Sequence, residues 1–76
     1  MSLEYEKIKQ LTCELTGCDC SAIIPTIRFH RDLGMDSLDM YQLAVEIEAY
    51  FSIKLSDAHI AQMQTPGDAA EIVSRL

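Results

Sequence analysis

Asp36 and Ser37 stand at the head of a long apolar-periodic run, and theirs are the side chains in this sequence best placed to do chemistry. Gly34 ends a loop just before them, Asp36 falls where a helix N-cap belongs, and Asp39 follows three residues later. A cap carboxylate accepts a bond from an orphan backbone N–H, and a second acid in the first turn meets the positive end of the helix. This puts the Ser37 hydroxyl near a free helix end, a natural seat for a phosphate group, so an exposed serine there could carry a phosphodiester. The same residues also read as an ordinary capped helix start. The other reactive side chains offer less. Cys13, Cys18 and Cys20 crowd together, but there is no C-x-x-C pair and no fourth ligand nearby, so free reduced thiols are expected rather than a metal site. Cys13 falls away from the apolar stripe of its helix and is expected to be reactive. His30 and His59 are isolated, and His59 has no evident catalytic partner.

Several elements must position Ser37. Ser2 can cap a first helix from Leu3 to about Thr16, with Leu3, Tyr5, Ile8, Leu11, Thr12 and Leu15 on one side and Gly17 as its stop. A connection from Cys18 to Met35 is too long for an idle turn. Pro25 keeps it from being one continuous helix, and Ile23, Ile24, Ile27, Phe29 and Leu33 are expected to tuck beneath the bundle. Arg28, His30 and Arg31 form a small basic cluster ahead of Asp36, read here as pairing locally with Asp32 or with acids of the next helix. Selection among partners is the alternative.

The second helix, Ser37 to Phe51, carries two apolar seams. Met40, Ala44, Ile47 and Phe51 share a face suited to a core, flanked by Tyr41 and Leu43. Leu38, Val45 and Ala49, with Gln42, lie roughly opposite, rimmed by Asp39, Glu46 and Glu48. From Asp32 to Ile53 there are five acids and no Lys or Arg. An acidic patch with an apolar centre beside Ser37 suits basic protein partners. A short third helix should follow, capped by Ser56 and running from Asp57 to about Gln62. A last one starts at Thr65-Pro66 and runs to Leu76 with Ala69, Ile72, Val73 and Leu76 inward.

The stretch Asp32-Leu33-Gly34-Met35-Asp36-Ser37-Leu38 resembles the attachment-site motif of acyl carrier proteins, and the likeness runs from the first helix to the C-terminus. The resemblance implies an all-α, four-helix antiparallel bundle with a long first loop and a short third helix. It implies 4′-phosphopantetheine on Ser37, beside Asp36, transferred from coenzyme A by a separate phosphopantetheinyl transferase, and a carrier rather than an enzyme. It also makes the second helix the docking helix, through Leu38, Asp39, Val45, Glu46 and Glu48. An acyl chain would shelter between helices, with Tyr41, Ala44, Ile47, Ile60, Met63 and Ile72 as candidate lining. Acyltransferases and condensing enzymes are the implied partners. Gln42 and Ala49 stand where many fatty-acid carriers have glutamates, and the basic cluster departs from the usual neutral or acidic residues. Peptidyl carriers often show Leu-Gly-Gly-Asp/His-Ser, so Met35 favours the acyl type. An aminoacyl or peptidyl carrier stays open, as does a non-carrier helical adaptor.

Composition sets outer limits. The 76 residues carry twelve acids against six bases, a formal charge of −6, which argues against nucleic acid and anionic membranes. Apolar stretches break well short of a membrane span, and charges interrupt the N-terminus where a signal peptide would be apolar. One cytoplasmic, monomeric carrier domain over residues 1–76 is expected, free-standing rather than cut from a megasynthase. Neither metal binding nor membrane insertion is expected.

Overall fold

Four side chains, each an oxygen acceptor one residue ahead of a helix, set where the chain becomes helical. In the computed structural model, which describes residues 2–76, Ser2 caps α1 (Leu3–Thr16), Asp36 caps α2 (Ser37–Phe51), Ser56 caps α3 (Asp57–Gln62) and Thr65 caps α4 (Pro66–Ser74). Each accepts the backbone N–H three residues on, satisfying one of the donors a helix start leaves bare. No strand occurs among the described residues. The all-α four-helix reading therefore holds, including the long first loop and the short third helix.

The core is one cluster drawn from all four regions. α1 supplies Tyr5, Ile8 and Leu11, and α2 supplies Met40, Leu43, Ala44 and Ile47. Met63 follows α3, and Ala69, Ala70 and Val73 come from α4. α1 packs on α4 and α2, while α3 bridges α2 and α4. Two helix-end expectations fail. Leu3, the first residue of α1, is 86% exposed, and Leu76, beyond the end of α4, is 54% exposed. α4 also stops at Ser74, two residues short of the expected end.

The loop between α1 and α2 is pinned at several points. A single 3-10 turn forms at Cys20–Ala22. Ile23 is buried, and its carbonyl accepts the Tyr5 hydroxyl at 3.2 Å. Phe29 is fully buried, and its N–H donates to the Gln64 carbonyl at 3.0 Å. Gly67 N–H donates to the Pro25 carbonyl at 2.9 Å. Ile27 and Leu33 are half-buried as expected, but Ile24 is exposed, and Met35 joins the core instead.

The cysteines correct the expectation of three free thiols. Cys13 and Cys20 form a disulfide, and Cys18 alone is free. Gly17 turns the chain back on α1, which brings the 3-10 turn against the helix and the two Cα atoms to 5.4 Å. Cys13 is buried rather than displayed as a reactive thiol.

Candidate functional site

The start of α2 is held by a reciprocal pair of bonds. Asp36 Oδ1 accepts the Asp39 N–H at 2.9 Å, and Asp39 Oδ2 accepts the Asp36 N–H at 3.2 Å. This capping box fixes the path of the backbone through Ser37. Gly34, at φ 69°, takes the left-handed turn that leads into it. Ser37 is the first residue of α2, and it is exposed. Its hydroxyl is thus presented at the helix end, beside two carboxylates already committed to backbone donors.

Ser37 also stands on the wall of a cleft of about 460 Å³, between the end of the long loop, α2 and α3. Met40, Ile60 and Met63 give the cleft apolar lining, and Arg28, His30 and Arg31 line it too. Tyr41 and Asp57 line it as well, joined by a 3.2 Å bond from the Tyr41 hydroxyl to Asp57 Oδ1. The Asp57 carboxylate pushes the Tyr41 pKa above its ordinary value, chiefly through its charge and then through that hydrogen bond.

The candidate acyl-lining residues divide. Tyr41, Ile60 and Met63 line this cleft. Met63, itself 2% exposed, reaches the cleft only at its edge, whereas Ala44 and Ile47 belong to the core without touching it, and Ile72 borders a separate small recess beside Asp68 and Arg75. Helical spacing put Ala44 and Ile47 on the face of α2 that meets α1 as well as α3, and the core claims them.

The docking candidates lie where an outward seam requires. Leu38 is 76% and Val45 60% exposed, and Ala49 is exposed beside them. The acids differ in what they are free to do. Asp39 is engaged in the capping box, and Glu48 Oε2 accepts the Leu55 N–H at 2.7 Å, tying the end of α2 to the next loop. Glu46 has no such partner among the described residues.

The basic cluster behaves differently from expectation. Asp32 does engage Arg28, but through the Arg28 backbone N–H, at 2.8 Å. The one ion pair among the described residues joins Arg75 to Glu71, so the Arg28 and Arg31 guanidinium groups stand without a carboxylate partner. Both open into the cleft that holds Ser37. The sequence marks this cluster as unusual but not its place, which depends on the contact of Phe29 with Gln64. No group of side chains suited to a metal ion occurs among the described residues.

Residues 6–73 match the family described as "Phosphopantetheine attachment site". The chain is 38% identical, over 71 residues and 93% of each chain, to an acyl carrier protein of Onion yellows phytoplasma (strain OY-M). It belongs to the acyl carrier protein family. An acyl carrier protein of Solidesulfovibrio magneticus is 33% identical over 70 residues, covering 92% of this chain and 90% of that one. The acyl carrier proteins are carriers rather than catalysts, and 4′-phosphopantetheine is their prosthetic group. The residues present fit such a group: an exposed serine hydroxyl at a helix start, and a cleft beside it with cationic and apolar lining.

Proposed function

We propose that Ser37 carries the 4′-phosphopantetheine arm, and that this acyl carrier protein presents acyl groups for fatty-acid, polyketide or related acyl biosynthesis. The observation that carries this reading is the exposed Ser37 hydroxyl at the first residue of α2, fixed by the Asp36–Asp39 box and opening on the cleft. When attached, the arm supplies a thiol that holds acyl groups as thioesters. The chain's own residues do the presenting. Asp36 holds the backbone at the attachment point, and Leu38 and Val45 offer an apolar seam with Asp39, Glu46 and Glu48 around it.

The reading includes partners and setting. A phosphopantetheinyl transferase loads Ser37 from coenzyme A, using magnesium of its own, and acyltransferases and condensing enzymes dock on α2. Residues 1–76 act as one monomeric carrier domain in the cytoplasm. The high coverage of the relatives' own lengths supports the single domain. No helix among the described residues is long and apolar enough to cross a membrane. The relatives' shared name favours acyl over aminoacyl cargo.

The test is co-expression with a broad-specificity transferase, followed by intact-mass measurement and acylation of the product. A mass gain of one phosphopantetheine and an acyl adduct released by hydroxylamine are the expected results. A loaded protein that accepts aminoacyl but no acyl groups would contradict the cargo assignment.

A further inference from the structure

The turn that bears Arg28 and Arg31 is sewn alongside the peptide leading to Ser37. Met35 N–H donates to the Phe29 carbonyl at 3.0 Å, and His30 Nδ1 bonds the Met35 carbonyl. Nearby carboxylates are already used. Asp32 accepts the Arg28 backbone N–H, Asp36 and Asp39 hold each other's N–H groups, and Asp57 accepts the Tyr41 hydroxyl. In a chain with twice as many acids as bases, two guanidinium groups are nevertheless left without a carboxylate in a cleft whose wall is Ser37. A guanidinium is a planar fork of donors that suits a phosphate oxygen pair better than a lone ammonium does. The lining beyond it is apolar at Met40, Ile60 and Met63, and a volume of about 460 Å³ falls in the range of small-molecule clefts, about 300–1,000 Å³.

We propose that Arg28 and Arg31 bind the phosphodiester of the arm on Ser37 and lay the arm into this cleft, over Met40, Ile60 and Met63. This rests on the assignment of Ser37 as the attachment site and adds a stowed position for the arm, with the thiol withdrawn from solvent until a partner draws it out. His30 is a positioning residue, since its bond to the Met35 carbonyl holds the arginine turn against the Ser37 peptide. The basic cluster, which lacks local ion pairs, gains its counter-charge when the arm is attached. An ordinary exposed arginine would instead be indifferent to loading.

The experiment uses the loaded protein with an isotope-labelled arm. Mass measurement first establishes loading at Ser37. Relaxation measurements then give order parameters for the two arm amides in wild type and in the Arg28→Gln/Arg31→Gln double variant. Both arginines are exposed, and the backbone spectrum checks that the variant keeps its fold. The expected result is arm order near that of rigid backbone, about 0.85, in wild type and below about 0.6 in the double variant. Contacts from the arm's methyl groups to Met40 and Met63 should be seen in wild type alone. Salt gives a second reading without any substitution: raising it toward 1 M should loosen the arm of the wild type, since screening weakens an exposed guanidinium–phosphate pair. A loaded arm that is mobile in wild type, or equally ordered in the double variant and at high salt, overturns the clamp while leaving Ser37 as the attachment site. A protein that cannot be loaded at Ser37 overturns both.

Discussion

Tyr41 and Asp57 meet across the cleft, and their bond has a consequence that titration can read. The Asp57 charge disfavours the phenolate, so Tyr41 ionises above the ordinary tyrosine value of about 10. Its neutral form is the one the fold prefers. The stabilisation is therefore fully present below the unfolded tyrosine pKa and is lost as pH rises through the higher folded value. Tyrosine absorbance followed through alkaline pH should show one late-titrating group besides Tyr5, which burial also raises. Asp57→Asn should bring the Tyr41 transition back toward the ordinary value and leave Tyr5 in place. If the Asn variant titrates like wild type, the bond does not persist in solution. Ser37 itself is simpler. Its position is set by two backbone-to-carboxylate bonds within a four-residue window, which is why it is readable from sequence.

At the scale of elements, local and distant causes separate cleanly. The caps at Ser2, Asp36, Ser56 and Thr65 act within three residues, so every helix start was legible from side-chain type alone. Leu3 and Leu76 depart from the expected inward faces because periodicity says which residues share a face but not whether the end of that face is covered. The Cys13–Cys20 link was invisible for a related reason: it depends on the turn at Gly17 folding the next segment onto α1. It makes a clear prediction. Thiol titration of the protein unfolded without reductant should count one thiol, Cys18, and reduction should raise the count to three. Reduction should also lower stability by about 2.5 kcal/mol, the loop-entropy value for so short a closed loop. Three thiols before reduction would contradict the link. The contact between the long loop and α4 offers another test. A Cβ at Gly67 would lie 2.9 Å from the Pro25 carbonyl oxygen, a backbone atom fixed by its own bond to Gly67 N–H. Gly67→Ala should therefore lose stability in urea unfolding. The overpacking cost of about 1–3 kcal/mol should exceed the roughly 1 kcal/mol that alanine normally gains over glycine in a helix. A more stable alanine variant would show that the loop gives way there.

Over the whole molecule, the radius of gyration of 10.9 Å is close to the roughly 11 Å expected for a compact chain of this length. Leu3, Ile24, Tyr50 and Leu76 lie outside singly, whereas Leu38 and Val45 are both exposed on α2, within a chain of net charge −6. If this is the proposed docking surface, charge supplies the steering and the seam the adhesion. Glu46→Lys should slow transferase loading by up to about tenfold at low salt, the lower bound of steering effects, with the difference shrinking as salt rises. Leu38→Ala should slow loading by an amount that salt does not change. Equal salt dependence in the two variants would separate docking from this surface. The cleft was only partly legible for the same whole-molecule reason, since Arg28, Ser37, Ile60 and Met63 come together through contacts far apart in sequence. The central claim, attachment at Ser37, is tested most directly by the intact mass of Ser37→Ala after incubation with coenzyme A and a phosphopantetheinyl transferase. The wild type run alongside should gain one cofactor mass and the variant none, with helicity and melting unchanged. A variant that gains the same mass, on Ser52, Ser56 or any other residue, would contradict the account.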